Sequence, residues 1–162
     1  MTLLAVVERG WTSKGDFVGY YNPLSKTFES TDPLRREAFA ELDAENALGF
    51  SNIPFMILLD EANLSPMEYY WGDFMRICDS RTGTTPSVAL GGNAQYVIPN
   101  TLRFLATINN DFTTENLSPR LLDRAGIVTF PEIESTLQPA DDMPPVQPIA
   151  WTSLQEIFGA RS

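Results

Sequence analysis

The stretch Phe55-Met56-Ile57-Leu58-Leu59-Asp60-Glu61 decides how this chain of 162 residues folds. With Ile53 and Pro54 before it, the run is apolar without alternation up to Leu59. Such a pattern predicts a strand buried on both faces, as in a parallel sheet between helices. Its first charged groups, Asp60 and Glu61, emerge at the carboxyl end, where open α/β sheets bind ligands. An aspartate there can hold water on a magnesium ion, and an adjacent glutamate can orient a water that attacks a phosphoryl group. The plain alternative is a strand ending in two solvated acids.

Working outward, Leu3–Val7 and Leu102–Ile108 read as further buried strands, and Ile127–Phe130 as a short one. The second of these ends in Asn109 and Asn110, whose amides can bind a water or a phosphate oxygen; an Asx-rich turn is the simpler reading. Asp32 and Pro33 predict a helix start, with Leu34, Ala38, Leu42 and Ala47 as its apolar face up to Gly49. Ser65 and Pro66 predict another, closed by a capping box with Glu68 and carrying Met67, Tyr70, Trp71, Phe74, Met75 and Cys78 on one side. Val88–Leu90 and Tyr96–Ile98 around Gly91-Gly92-Asn93 read as a β-hairpin. Residues 8–30 read as a loop packed by its own rings, Trp11, Phe17, Tyr20, Tyr21 and Phe28. Ser118–Arg124 reads as a short helix presenting Arg120 and Arg124, which can serve as fingers towards a neighbouring subunit's nucleotide or as surface ion-pair partners. Five prolines between 131 and 148 predict an extended tether. Residues 149–158 are weakly amphipathic.

Composition excludes several classes. With 21 acidic and 11 basic residues, the net charge of −10 lacks the basic face that nucleic-acid or anionic-membrane binding requires. No histidine occurs, which removes Ser-His-Asp and Cys-His catalysis and histidine metal sites. The single cysteine, Cys78, allows no internal disulfide and reads as a small core residue. No run approaches the roughly 18 apolar residues of a membrane span. A cytoplasmic setting is expected.

Four segments in order carry a resemblance: Trp11 with Phe17-Val18-Gly19-Tyr20-Tyr21-Asn22-Pro23; Ile57-Leu58-Leu59-Asp60-Glu61-Ala62-Asn63-Leu64-Ser65-Pro66-Met67-Glu68-Tyr69-Tyr70; Pro99 through Asn109; and Leu117-Ser118-Pro119-Arg120-Leu121-Leu122-Asp123-Arg124. Together they resemble the AAA+ nucleotide-hydrolysing module, in the branch of the MoxR-like and McrB-like (dynein-related) proteins, over roughly residues 3–158. The resemblance implies an α/β class, a partial AAA+ P-loop fold with a parallel sheet flanked by helices and a β-hairpin insertion. Residues 1–130 would form the partial core, 131–148 a Pro-rich linker and 149–162 the start of a truncated lid. It implies ATP as the nucleotide, with GTP as the alternative, and Mg²⁺. Asp60 then lies near the metal, Glu61 activates water, Asn109 is the sensor residue, and Arg124, with Arg120 as second candidate, is the arginine finger. Ring-forming subunits, commonly six, would be the partners, and the 84–98 hairpin would touch a protein partner or substrate. The branch usually shows Asn-x-x-Asp at the sensor; Asn109-Asn110-Asp111 is one residue shorter, which favours ATP.

One motif is absent. No Gly-x-x-x-x-Gly-Lys-[Ser/Thr] occurs, and neither Lys14 nor Lys26 sits in such a loop. The resemblance places that loop and its strand before residue 1, with the strand between 102–108 and 127–130. The chain alone is therefore expected to bind nucleotide weakly and to hydrolyse it negligibly. A second reading, of a different class, is a catalytically inactive interaction module docking on a partner or a mixed ring.

Overall fold

The computed structural model describes residues 2–49, 54–79, 86–99, 101–130, 147–150 and positions 152, 153 and 156. The Thr/Gly stretch around 80–85, the tether from 131 to 146 and most of 149–162 lie outside the described residues.

Strands β1 (Thr2–Val6), β4 (Phe55–Asp60) and β7 (Leu102–Ala106) form a three-stranded parallel sheet in the order β1-β4-β7. The fold is thus mixed α/β, with helices on the sheet. Register places Leu3 beside Ile57 and Ile57 beside Phe104, then Ala5 beside Leu59. This side is covered: Leu3, Ala5, Phe55, Ile57 and Leu59 are all buried. The other side differs from the expectation of burial on both faces. Leu4 pairs with Leu58 and Leu58 with Leu105, an apolar row in which Leu4 is 55% and Leu105 53% exposed. Among the described residues no strand pairs with the second edge of β7.

Helix α2 (Pro33–Ala47) starts as its sequence predicts, with the Leu34 N–H donating to Asp32 Oδ1 at 2.9 Å. Its buried face is Arg35, Ala38, Phe39 and Leu42; Leu34 is 69% exposed, and Ala47 is exposed, so both leave the face assigned to them. Arg35 is held under the loop by its ion pair with Asp32 at 3.1 Å and by lying 4.8 Å over the Trp11 ring.

Residues 8–30 are more ordered than a ring-packed loop. They form α1 (Lys14–Val18) and the antiparallel pair β2 (Tyr20–Asn22) and β3 (Thr27–Glu29). Trp11 and Phe17 pack on each other at 6.1 Å, and also beyond their own segment on Tyr70, Phe39 and Phe74, with centroids 5.1–6.0 Å apart. The hairpin of β5 (Ser87–Gly91) and β6 (Ala94–Val97) forms as predicted, with one side facing inward: Val88, Leu90 and Tyr96 are buried. At its tip Gly92 has φ +58°, and a Cβ there would stand 3.2 Å from the Tyr21 ring.

The helix expected over 65–78 is broken. A 3₁₀ turn (Ala62–Leu64) leads into α3 (Met67–Tyr70), and α4 (Gly72–Asp79) follows after Trp71 at φ −111°, ψ 1°. Trp71, Phe74 and Met75 are buried, but Cys78 is exposed. Past the break the core-facing side runs through Phe74 and Met75 to Ile77, and Cys78 falls outside it. Helix α5 (Pro119–Leu122) is capped by Ser118, whose Oγ accepts from the Leu121 N–H at 3.3 Å. Ile127–Phe130 is not a strand. It is irregular, with Val128 76% and Phe130 85% exposed, because no neighbouring strand among the described residues offers it a ladder. No helix among the described residues is long and apolar enough to cross a membrane.

Candidate functional site

The carboxyl ends of β4 and β7 are parallel neighbours, so the residues that follow each strand emerge side by side. β4 ends in Asp60 and is followed by Glu61; beyond β7 come Thr107, Ile108 and Asn109. The main chains stay keyed together past the sheet. The Thr107 N–H donates to the Leu59 carbonyl and the Ala62 N–H to the Thr107 carbonyl, both at 2.9 Å.

Thr107 links the two acids. Its hydroxyl donates to Asp60 Oδ1 at 2.5 Å and accepts the Glu61 N–H at 2.9 Å. Asn109 reaches the second acid, with Nδ2 donating to Glu61 Oε1 at 3.3 Å. Asp60, Glu61 and Asn109 are therefore brought together around Thr107. Glu61 also turns the chain: its backbone is left-handed, φ 53° and ψ 43°, a conformation costly for a residue with a Cβ. Two bonds hold it there, from its N–H to the Thr107 hydroxyl and from the Asn109 amide to its carboxylate.

Sequence reasoning missed Thr107 and Asn63 in this cluster and gave Ser65, beside it, the wrong partner. Thr107 reads as the last polar position of a strand, and its register against Asp60 is a tertiary fact. Asn63 is 4% exposed and works through its side chain on the opposite loop. Its Nδ2 donates to the carbonyls of Asn109 at 2.7 Å and Glu115 at 3.0 Å, and its Oδ1 accepts the Asn109 N–H at 3.0 Å. Ser65, read as a helix N-cap, caps nothing: its Oγ accepts the N–H groups of Gly10 and Trp11 at 3.0 and 3.1 Å and donates to the Glu8 carbonyl at 3.0 Å. The only available signal for Asn63 was a polar side chain inside an otherwise apolar turn.

Arg120 and Arg124 lie on α5 and the turn that ends it. Arg124 Nη1 donates to the Arg120 carbonyl at 2.6 Å and pairs with Asp123 at 3.8 Å. The loop between Asn109 and α5 is fastened by Asp111, which accepts the Thr113 hydroxyl at 2.7 Å and its N–H at 2.8 Å. Those bonds hold the Asp111 carboxyl below its ordinary value.

No group of three metal-binding side chains occurs among the described residues. A single aspartate beside a threonine hydroxyl suits Mg²⁺ that keeps water and phosphate oxygens as most of its ligands, and does not form an all-protein cage. A cleft of about 470 Å³ lies elsewhere, between residues 8–11 and the start of α2, and neither Asp60, Glu61 nor Asn109 lines it. Its charges are largely spent on the chain itself: Arg35 pairs with Asp32, and Asp16 accepts the N–H groups of Thr12 and Ser13. No protein-family profile matches the chain, and no curated protein matches it, so the functional reading rests on these residues.

Proposed function

We propose that this chain is the water-activating half of an AAA+ nucleoside-triphosphatase core. Hydrolysis in the complete protein would drive remodelling or a restriction-type activity. ATP is the nucleotide that the shortened sensor favours. What carries the reading is the approach of Asn109 to Glu61 beside Asp60, at the carboxyl ends of two adjacent parallel strands. Asp60 would hold water on the nucleotide's Mg²⁺, and the Thr107 hydroxyl fixes its carboxylate by donating to Oδ1. Glu61 would orient the attacking water and draw its proton, with the Asn109 amide fixing the carboxylate. Mg²⁺, if bound there with the triphosphate, would supply neutralisation of the charge that develops on the phosphates.

The missing part is a glycine-rich phosphate loop, absent from the 162 residues. The second edge of β7 and the uncovered row Leu4–Leu58–Leu105 are the features that a strand–loop–helix segment would complete. Arg124 and Arg120 would act on a neighbouring protomer's nucleotide in a ring. The 84–98 hairpin would meet a protein partner.

The test has two parts. The 162-residue chain with ATP or GTP and Mg²⁺ should show turnover no higher than background. In the protein that joins it to a phosphate loop, Glu61→Gln should abolish turnover and leave nucleotide binding intact. Hydrolysis by the chain alone, or undiminished turnover in the variant, rejects the assignment. Inactivity of the joined protein would favour an interaction module.

A further inference from the structure

We propose that Asn63 is the positioning residue of this site, setting the Asn109 amide on Glu61 by gripping the main chain of the opposite loop. The inference rests on the reading of Glu61 and Asn109 as the water-handling pair.

The carboxamide of Asn63 makes three hydrogen bonds to that loop, with both donors and the oxygen engaged. Both amide protons go to carbonyls, those of Asn109 and Glu115, and the amide oxygen takes the Asn109 N–H. Its own carbonyl accepts the Glu115 N–H at 2.8 Å. Asn109 is thus held on both its N–H and its carbonyl by a single side chain. No other residue type does this in the same volume. Aspartate offers no donor when ionised, leucine neither donor nor acceptor, and glutamine is one methylene longer.

The location gives the grip its consequence. Asn63 stands two residues after Glu61, in the 3₁₀ turn that Glu61 opens. One short segment therefore carries both the carboxylate and the clamp that brings the amide to it. The clamp is buried, whereas the Asn109–Glu61 contact is exposed and long at 3.3 Å. An exposed bond of that length orders little by itself in water. Its geometry is inherited from the main chain of residues 109–115, which Asn63 fixes. Thr114 adds a lesser hold, its hydroxyl donating to the Asn109 carbonyl at 2.9 Å.

The experiment reads the contact directly and needs no catalysis. In the full chain, the side-chain amide signal of Asn109 is identified by NMR as the one lost in Asn109→Ala. Glu61→Gln should move that signal, because it replaces the carboxylate that the amide faces. In an Asn63→Ala background the same Glu61→Gln change should move it by less than about one third as much, the signature of two groups whose coupling runs through a third. An equal displacement in both backgrounds overturns the proposal, since a residue serving stability alone would lower the melting temperature and leave the coupling intact. Should Asn63→Ala fail to fold, Asn63→Asp keeps the volume and the acceptor; it should uncouple the pair by facing two carbonyls with a carboxylate, and retained coupling again overturns the claim. In a turnover-competent protein Asn63→Ala should lower kcat by about ten-fold with KM little changed. Absence of turnover in the unaltered protein would reject the proposed function and leave the NMR result to decide the role of Asn63.

Discussion

Glu61, Asn63 and Ser65 alternate along one short segment, and each has a different task. Glu61 faces the exposed cluster with Asn109, while Asn63 and Ser65 are turned into the protein to tie down two other loops. Only the first of these tasks is legible in the sequence, because an acid at the end of an apolar strand is conspicuous. A serine before a proline has a familiar local use as a helix cap, and that local rule loses here to a tertiary one. Ser65 is 2% exposed and binds three main-chain groups of residues 8–11. Ser65→Ala leaves the N–H groups of Gly10 and Trp11 without that acceptor. We expect a loss of about 2–3 kcal/mol in urea unfolding, above the ~1 kcal/mol typical of a lost helix cap.

At the scale of elements, the turn after β4 is joined to the helices by Tyr70. Its hydroxyl donates to the Ala62 carbonyl at 2.7 Å, and the ring is fully buried against Trp11 and Phe17. Burial, with a smaller contribution from the Glu68 charge, pushes the phenol well above its usual range. Unfolded tyrosine ionises from about pH 10, so the stabilisation tied to Tyr70 is complete below that pH and falls as pH rises towards the folded value. Tyr70→Phe should therefore flatten the alkaline limb of the stability–pH curve while lowering stability near neutrality by about 1 kcal/mol for the lost bond. Tyr96, also raised by burial, retains part of the slope. Asp73 shows the opposite balance: burial alone would raise its carboxyl, but Lys14 at 3.0 Å and Arg76 outweigh it and lower it. The periodicity of residues 67–78 was readable from the sequence. The break at Trp71 was not, because it places Trp71 and Phe74 against Phe104 of the sheet, a contact known only after the strand is placed.

For the whole molecule, the decisive feature is a parallel sheet with one side packed and the other open. Parallel sheets in α/β proteins are usually covered on both sides, whereas among the described residues the row Leu4–Leu58–Leu105 is left partly exposed. The two sides should answer differently to substitution. Ile57→Ala, on the covered side, should cost about 2–5 kcal/mol in denaturant unfolding. Leu105→Ser, on the open side, should change stability by no more than about 0.5 kcal/mol. Equal losses would mean that the Leu105 side is packed in solution.

By itself the sequence determined the runs that become the three strands, the start of α2, the hairpin and the polar residues at the ends of β4 and β7, because apolar runs, helix-start residues and strand-end polar groups are local patterns; that Asn109 meets Glu61 follows from the pairing of β4 with β7. It did not determine which faces would be covered, nor that Ile127–Phe130 would remain irregular, since a strand exists only where a neighbour supplies hydrogen bonds. The roles of Asn63, Ser65 and Thr107 were likewise decided by tertiary structure alone: each bonds a main chain roughly 45 to 57 residues away, and nothing local specifies which partner lies opposite.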